Sequence, residues 1–424
     1  MPLDQRQWRS RTPEHPPIVL DDEPERRSGL RRWQVMTVIG ACTLSLVAGW
    51  VVANQGLGET SVATANTGAS APAAPTSPAT AAQAPAAVAP AAGQIRVPGQ
   101  CPDPAGWSTQ QLASLLVVPG FNADGGWPAQ VPAGVGGVFV PSGSGGVSAS
   151  VFTDQLPTDP APFVSIDYEG GLVGDHAGLI GVMPAPADQA ATMSPEQVRA
   201  MAADRAGAMR HYGINVDFAP VADLDLGSPV VGNRSYGSDP NTVVTYAGAF
   251  AQGLRDNGVL PVLKHFPGHG SSDGDSHKTL AITDPWTVLK DRDVQVFKRL
   301  LSQPGPWMVM MGHLVVPGLS TDAQTPSSVD PMAYQALRST TGFNGPVITD
   351  DLAGMRAITD RLPVPQAVVS AISAGADLAL TSDVYSYPDA VAALTAWGDA
   401  DPAHKAQMHS SALRAMQAMP CGRP

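Results

Sequence analysis

The chain has 424 residues, of which 43% are hydrophobic and 15% are charged, and it contains 43 Gly and 41 Pro. That length suits a large catalytic domain with additional segments rather than one small module. With 25 Lys and Arg against 37 Asp and Glu, the formal net charge is −12, which argues against nucleic acid as a partner. Three cysteines are too few for a disulfide-rich scaffold or for a zinc module built on four cysteines.

Residues 33–53 read WQVMTVIGACTLSLVAGWVVA and carry no charge. As a helix these 21 residues would extend about 30 Å, the thickness of the hydrocarbon core of a bilayer. Arginines crowd the preceding side, at Arg26, Arg27, Arg31 and Arg32. The positive-inside rule therefore predicts a cytoplasmic tail over 1–32, an uncleaved single-pass transmembrane anchor over 33–53, and an extracellular location for the rest.

Two alternatives for this segment stay open. A cleaved signal peptide is one, although the apolar region of a signal peptide is usually only about 7–15 residues long. A lipoprotein is the other, because Ile39-Gly40-Ala41-Cys42 resembles a lipobox. Against lipidation, the apolar run continues from Cys42 through Ala53.

Residues 54–98 are mostly Ala, Pro, Thr, Ser and Gly. Such a stretch buries too little apolar surface to offset the entropy of ordering it, so we predict a disordered, semi-rigid linker. The folded domain would then span 99–424. Cys101 and Cys421 lie near its two ends; outside the membrane a disulfide between them is chemically permitted, and two free thiols are the alternative.

Short apolar runs rich in β-formers recur along 99–424, with helical stretches between several of them. The predicted strands are Leu115–Val118, Gly137–Val140, Phe163–Asp167, Asn215–Val221, Leu260–His265, Met308–His313, Val347–Asp350 and Asp377–Leu380. Helices should begin after Ser194 and Asp239, each of which is followed by Pro, and the second should end at Asn257-Gly258. Strands alternating with helices predict an α/β fold, a single (β/α)8 TIM-type barrel, with a doubly wound open sheet as the alternative.

Titratable residues fall at or near the C-terminal ends of five predicted strands. They are Asp167 and Glu169, Asp217, Lys264 and His265, His313, and Asp350 and Asp351. Barrel enzymes assemble their active sites at this end of the strands. No glycine-rich phosphate loop follows the first strand, which disfavours nucleotide binding.

The loop from Lys264 to His277 reads KHFPGHGSSDGDSH and concentrates three histidines, one lysine and two aspartates. Its Pro and Gly residues keep it from being helical, and such loops often carry catalytic groups. One interpretation is a metal site, with ligands drawn from His265, His269, Asp273, Asp275 and His277. Another is an Asp275–His277 dyad, and a third is a hydrogen-bonded loop without chemistry. His269, between two glycines, is expected to shape the loop.

The order of motifs along the chain resembles glycoside hydrolase family 3, in its single-domain β-N-acetylglucosaminidase branch. KHFPGHG followed by DSH is similar to the signature loop of that family. Further similar stretches are SIDYEGG at 165–171, NVDFAPVAD at 215–223, GNRSYG at 232–237, MMGH at 310–313, VITDDL at 347–352 and AGAD at 374–377. The similarity covers about 110–380, most of the predicted domain.

The resemblance implies a role for individual residues. Asp350 would be the nucleophile that forms a covalent glycosyl-enzyme, although the Asp350-Asp351 doublet leaves the choice between the two open. His277 would be the general acid/base, held by Asp275. The sugar hydroxyls and N-acetyl group would be bound by Asp167, Arg234, Lys264 and His265.

Two positions depart from the family pattern, because Tyr168 stands where Gln is common and Leu172 where Arg is common. Neither change touches the dyad or the nucleophile. Family members with a second α/β domain take the proton donor from it. Only 47 residues follow Asp377, so we expect the donor to come from the barrel, at His277.

We therefore expect a retaining glycoside hydrolase that removes terminal β-N-acetylglucosamine from glycans of the cell wall or derived from peptidoglycan. We expect it to be a monomer and to need no metal or organic cofactor. Alternatives within the family are a β-glucosidase and a β-N-acetylglucosaminide phosphorylase. Alternatives of another class are a non-catalytic cell-wall-binding protein and a metal-dependent hydrolase.

Overall fold

The structure is a computed structural model, and it describes residues 101–120, 134–141, 161–174, 176–419 and 421. The predicted tail, anchor and linker, residues 1–98, lie outside these ranges. Within the described part, no helix is both long enough and apolar enough to cross a membrane.

The described residues form a curled, all-parallel sheet. Its strands are β1 (Val117–Pro119), β2 (Gly137–Phe139), β3 (Phe163–Ile166), β4 (Val216–Asp217), β5 (Leu260–Phe266), β7 (Met308–Met311), β9 (Val347–Thr349) and β10 (Ala379–Thr381), and a separate parallel pair consists of β6 (Ala281–Ile282) and β8 (Leu314–Val315). Six strands pair in the order β2-β3-β4-β5-β7-β9, and β1 pairs with β10. Each of the eight predicted strands overlaps one of these strands, and the predicted α/β class is confirmed.

Isolated bridges connect the β1–β10 pair to both edges of the six-stranded sheet. Gly120 at the end of β1 pairs with Phe139 of β2, and Leu378 before β10 pairs with Ile348 of β9. The Leu352 amide also donates to the Leu380 carbonyl oxygen at 3.0 Å. The sheet therefore curls strongly enough to bring its first and last strands next to each other.

Helices lie between most of the consecutive strands. They are α1 (Thr109–Leu116), α2 (Ala177–Ile180), α3 (Pro186–Thr192), α4 (Pro195–His211), α5 (Pro240–Asp256), α6 (Trp286–Leu289), α7 (Asp293–Leu301), α8 (Pro331–Thr341), α9 (Arg356–Thr359), α10 (Val364–Ala374), α11 (Tyr387–Ala400) and α12 (Pro402–Ala415). Short 3-10 helices cover Pro104–Gly106, Gly232–Arg234, Ser327–Val329, Val384–Ser386 and Met416–Ala418.

The two helix starts predicted from sequence are confirmed. The Ser194 hydroxyl accepts from the Gln197 amide while the Gln197 side chain accepts from the Ser194 amide, which makes a complete capping box for α4. Asp239 caps α5 by accepting from the Thr242 amide at 2.9 Å. That helix ends where predicted, with Gly258 in the left-handed region at φ 73°.

One apolar core of buried residues connects strands and helices, and it includes Leu115, Val138, Ile166, Leu263, Val309, Ile348 and Leu380. Asp377, which precedes β10, accepts from Arg414 at 2.7 Å and from Arg338 at 3.0 Å. Because it lies at the N-terminal end of its strand, it ties helices α8 and α12 to the sheet.

Cys101 and Cys421 form a disulfide across 320 residues, which decides between the two alternatives left open by the sequence.

Candidate active site

The strand ends place the predicted site residues on one edge of the sheet. Asp167 directly follows β3, Lys264 and His265 lie near the end of β5, and Asp350 directly follows β9. Because these strands are parallel, their carboxyl ends lie on the same side of the sheet. Arg234 ends a short 3-10 helix in the segment after β4, so it reaches the same edge from a loop.

Three of these side chains, Asp167, Arg234 and Lys264, form a continuous ion-pair cluster with Glu169. The Lys264 ammonium lies 2.5 Å from a carboxylate oxygen of both Asp167 and Glu169. The Arg234 guanidinium grips Glu169 with two hydrogen bonds, at 2.6 and 2.8 Å. Lys264 and Glu169 are almost fully buried, whereas the side chain of Asp167 is 31% exposed and that of Arg234 is 17% exposed. Asp167 and Arg234 are therefore the members that a ligand can touch most readily.

The charges in this ion-pair cluster balance. Burial would raise the pKa of Glu169, but Arg234 and Lys264 outweigh it, and that pKa falls below its usual range. Burial would lower the pKa of Lys264, yet Asp167 and Glu169 raise it. Burial raises the pKa of Asp167, and Lys264 offsets only part of this increase. A buried site with two cations and two carboxylates is thus held rigidly and near neutrality.

The structure separates the two carboxylates of the Asp350-Asp351 doublet. Asp351 accepts from the amides of Ala353, Gly354 and Ser382, at 2.8–2.9 Å, and also from the Ser382 hydroxyl. Its oxygens are thus committed to shaping the chain after β9. Asp350 accepts one hydrogen bond, from the Asp351 amide at 2.9 Å, and within the described ranges no other donor is bonded to its carboxylate. Asp350 is the one that is free to react.

Asp350 is held in its ionised form. Burial would raise its pKa, but His313, His265, the Asp351 amide and His277 together lower it to about 2. His313 is itself buried, and burial lowers its pKa. Its ring bonds the Ser328 hydroxyl at 2.7 Å and the Asp351 carbonyl oxygen at 2.9 Å, so it lies under the doublet as part of the support.

Asp275 and His277 form the predicted dyad. The Nδ1 of His277 lies 2.8 Å from Asp275 Oδ1, which also accepts from the His277 amide at 3.0 Å. Lys278 contacts the other oxygen of Asp275 at 2.9 Å. Burial would raise the pKa of Asp275, but Lys278 and His277 lower it to about 2, so the carboxylate is ionised. This contact fixes the ring and leaves Nε2 for a substrate, and the imidazole is 58% exposed.

The loop that ends in the dyad, residues 264–277 (the dyad loop), is hydrogen-bonded to the chain that follows Asp350. The Ala357 amide donates to the Ser276 carbonyl oxygen at 3.1 Å, and the Arg356 amide donates to that of His277 at 3.4 Å. Both amides belong to the first turn of α9, where helical amides have no partner within the helix. The start of α9 therefore fixes the backbone at His277, the acid/base candidate, relative to the chain that carries Asp350, the nucleophile candidate.

His265 is oriented by a buried carboxylate, Asp223. Its Nδ1 lies 2.7 Å from Asp223 Oδ2, and the amides of His265 and His269 also donate to Asp223. Burial would raise the pKa of Asp223, but the two histidines lower it. His269 shapes the loop as expected, because its ring bonds Ser272 at 2.8 Å and Ser276 at 3.2 Å.

The metal-site interpretation finds no support in the geometry. Among the described residues, no group of three or more His, Cys, Asp or Glu side chains converges in a way that could hold a metal ion. The candidate ligands have other partners: His265 bonds Asp223, His277 bonds Asp275, and Asp273 accepts from the Ile282 amide.

Glu169 and Asp223 belong to the site although the sequence assigned neither of them a catalytic or binding role. Both stand inside motifs used for the resemblance, and Glu169 lies two residues after Asp167. Their charge partners, Arg234 and His265, come from distant parts of the chain. The signal that could have found them is a second acidic residue in the same motif as a predicted site residue.

The two departures from the family pattern have different surroundings. Tyr168 is fully buried, donates to the Gly181 carbonyl oxygen and so braces the segment after β3. Burial raises its pKa to about 12. Leu172 is 80% exposed, so its side chain does not pack into the core.

Comparisons with known proteins agree with this geometry. Residues 147–417 match the family described as glycosyl hydrolase family 3 N terminal domain. The β-hexosaminidase LpqI of Mycobacterium tuberculosis is 43% identical over 305 residues, which are 68% of this chain and 77% of that protein.

Solved structures are also similar. A family 3 glycosyl hydrolase of Mycobacterium smegmatis superimposes with a TM-score of 0.69 at 38% identity, covering 75% of this chain and 99% of that chain. A β-N-acetylhexosaminidase of Beutenbergia cavernae gives 0.65 at 28% identity, covering 74% and 99%. The chain therefore belongs to glycosyl hydrolase family 3 and is a glycosidase.

Proposed function

We propose that this glycosidase removes terminal β-N-acetylhexosamine residues, with N-acetylglucosamine as its sugar, and retains the configuration at the anomeric carbon. The observation that carries the proposal is the pairing of an ionised, uncommitted Asp350 with an exposed His277 that Asp275 orients. Retaining hydrolysis needs these two groups, a nucleophile and a separate proton donor. The names of the similar proteins, β-hexosaminidase and β-N-acetylhexosaminidase, support the choice of sugar.

In the first step Asp350 attacks the anomeric carbon while Nε2 of protonated His277 gives its proton to the glycosidic oxygen. The bond to the leaving group breaks, and an alcohol departs from a glycosyl-Asp350 ester. In the second step neutral His277 takes a proton from water, whose oxygen attacks the anomeric carbon and releases the Asp350 carboxylate. An imidazole suits both tasks because it gains and loses a proton near neutral pH.

We assign sugar binding to Asp167, Arg234, Lys264 and His265. Asp167 and Arg234 are the exposed members of the ion-pair cluster and would bond hydroxyl groups or the N-acetyl group. Lys264 is 1% exposed, so we expect it to donate at most one hydrogen bond to the sugar while it holds Asp167 in place. His265 keeps Nε2 for the ligand, since Nδ1 is bonded to Asp223.

We propose that the catalytic domain is a complete (β/α)8 barrel. The bridges from Gly120 to Phe139 and from Leu378 to Ile348 support closure, because they join the β1–β10 pair to both edges of the six-stranded sheet. We further propose that this domain acts as a monomer, since the candidate side chains all come from one chain.

We propose that residues 33–53 anchor the chain in the cell membrane and that 54–98 hold the domain outside, where cell-wall glycans are accessible. Cell fractionation tests this with the full chain and a Cys42→Ala variant. An intact protein that stays in the membrane in both cases is expected. Release into the medium would indicate a cleaved signal peptide, and release only of the variant would indicate a lipoprotein.

Release of a chromogenic leaving group from a β-N-acetylglucosaminide tests the activity, with a β-glucoside as the comparison sugar. The variants are Asp350→Asn and its matched neighbour Asp351→Asn. We expect Asp350→Asn to lose at least about 10³-fold in kcat and to stay folded, because it removes the nucleophile while its amide oxygen can still accept from the Asp351 amide. Asp351→Asn should unfold at a lower temperature, because its four acceptor contacts need a carboxylate.

Each other result selects an alternative. Faster turnover of the β-glucoside would indicate a β-glucosidase, and turnover that requires phosphate would indicate a phosphorylase. Loss of turnover with a chelator would favour a metal-dependent hydrolase. Binding of the sugar without turnover would favour a cell-wall-binding protein. Full activity in Asp350→Asn would overturn the assigned nucleophile.

A further inference from the structure

Asp217, the last residue of β4, is a buried carboxyl group that the mechanism above does not use. Its side chain has no solvent exposure. Oδ1 accepts from the Tyr168 amide at 3.0 Å, and Oδ2 has no hydrogen-bond partner in the described structure. An ionised carboxylate with one buried, unpaired oxygen would be strongly destabilised, whereas a neutral acid tolerates the same place much better.

The Tyr168 amide lies between the two acidic residues of the ion-pair cluster. Asp167 precedes it and Glu169 follows it, and both contact the Lys264 ammonium. The bond from Tyr168 to Asp217 therefore fixes the backbone that carries both carboxylates. Asp217 and Ile166 are also register partners between β3 and β4, so Asp217 supports the point where β3 ends and the site begins.

Lys264, the cation that interacts with Asp217, is already paired with two other carboxylates. Asp167 and Glu169 face it from the end of β3, and Lys264 faces it from β5; the phenols of Tyr168 and Tyr236 are the other titratable groups close enough to interact with it. Lys264 and Arg234 are already matched by Asp167 and Glu169. Burial raises the pKa of Asp217 well above its usual range, and the Tyr168 amide lowers it only in part.

We propose that Asp217 is a neutral carboxylic acid in the working enzyme and a positioning residue for sugar binding. It holds the Asp167–Glu169 segment through the Tyr168 amide. Ionisation of Asp217 as the pH rises adds a third negative charge near Lys264, loosens the contact of Lys264 with Asp167 and weakens the binding of the sugar. The inference rests on the proposed function, because it assumes that Asp167 binds the sugar.

The test compares Asp217→Asn, which keeps the Oδ1 acceptor and cannot ionise, with Asp217→Ala, which removes the acceptor. For the wild type we expect the KM for a β-N-acetylglucosaminide to rise at least about fivefold between pH 6.5 and pH 9, beyond any change in kcat. Asp217→Asn should restore a KM close to that of the wild type at pH 6.5 and keep it flat to pH 9. Asp217→Ala should raise KM at least about tenfold at every pH.

A second arm needs no substrate and measures the melting temperature at pH 5 and pH 9. Because the pKa of Asp217 is raised in the folded state, the stability linked to its proton is present at low pH and is lost as the pH rises. The melting temperature of Asp217→Asn minus that of the wild type should therefore be at least about 3 °C larger at pH 9 than at pH 5. Asp223→Asn is the matched control, a buried carboxylate from the same segment with a lowered pKa, and should lose stability at both pH values.

The proposal is overturned if Asp217→Asn loses stability at both pH values as Asp223→Asn does, or if its KM follows the wild-type pH profile. If no N-acetylglucosaminide is bound or turned over, the role in sugar binding falls together with the proposed function. The stability arm still decides whether Asp217 is protonated, so the two failures are distinguishable.

Discussion

His269 stabilises the dyad loop as a neutral, buried ring. It joins Ser272 and Ser276, and the second of these immediately precedes His277. Burial, together with the neighbouring His265, lowers the pKa of His269 to about 4. Since its pKa is about 6.5 in an unfolded chain, the unfolded state takes up a proton first as the medium becomes acidic.

We therefore expect His269 to make the protein acid-sensitive. The contribution of neutral His269 to the free energy of unfolding is complete above about pH 6.5 and is lost as the pH falls to about 4. The difference between these two limits is about 3 kcal/mol. The measurement is the free energy of unfolding in urea at pH 7.5 and pH 4.5. His269→Gln should be less stable than the wild type at pH 7.5 and should decline less between the two pH values. The control is the exposed His211→Gln, which should follow the wild type; an equally steep decline in His269→Gln would refute the assignment.

At the scale of single residues, the sequence predicted which residue types come together but not which hydrogen bonds and ion pairs each side chain makes. The pair Asp350-Asp351 reads as two equivalent acids, and only the fold around Ser382 shows that Asp351 is committed to hydrogen bonds. Glu169 was placed at the end of a predicted strand but received no role for the same reason, because its partner Arg234 is 65 residues away. Neither the contact of Asp351 with Ser382 nor that of Glu169 with Arg234 follows from the spacing of residues in the sequence, since both depend on which parts of the chain become neighbours in the fold.

At the scale of elements, the dyad loop depends on close backbone contact at Gly270. A Cβ added there would lie 1.9 Å from the Leu224 carbonyl oxygen, and the Gly270 carbonyl oxygen accepts from the Ser228 amide at 3.1 Å. The loop therefore rests directly on the segment that follows β4. Backbone at such a distance cannot move aside as a flexible side chain would.

We predict that Gly270→Ala displaces this loop and with it His277. Stability should fall by about 1–3 kcal/mol, and kcat should fall at least about tenfold because His277, the proposed proton donor, moves from its place in the site. Thermal unfolding and steady-state kinetics measure the two effects. Gly274→Ala in the same loop is the control, since its added Cβ would lie 3.0 Å from the nearest atom, the Leu280 carbonyl oxygen, and should cost less. Equal losses in the two variants would contradict this account.

Elements with local signals were predictable from the sequence, and elements defined by distant pairing were not. The capping residues Ser194 and Asp239 contact amides only three residues away, so α4 and α5 could be located from the sequence. The pair β6–β8 was not predicted, because each strand has two residues, too few for a recognisable apolar pattern, and its partners come from separate parts of the chain.

At the scale of the whole molecule, the covalent link between the ends of the domain completes the fold. Helix α1 packs against α11 and α12, and Cys101 and Cys421 are joined just outside this helix layer. The sequence permitted this bond but could not decide it, because two cysteines 320 residues apart are brought together only when first and last elements pack. The site residues lie between these ends along the chain, at the carboxyl ends of strands that include β3, β5 and β9.

We expect the disulfide to contribute to stability and not to catalysis. Closing so long a loop lowers the entropy of the unfolded chain, which in the chain-entropy model stabilises the fold by on the order of 5 kcal/mol. The double variant Cys101→Ser and Cys421→Ser should therefore unfold at a clearly lower temperature, while kcat/KM at 25 °C stays within about twofold of the wild type. Thermal unfolding with and without reductant measures this, and reductant should lower the melting temperature of the wild type only. A variant that melts with the oxidised wild type would show that packing of α1 against α11 and α12 alone fixes the two ends.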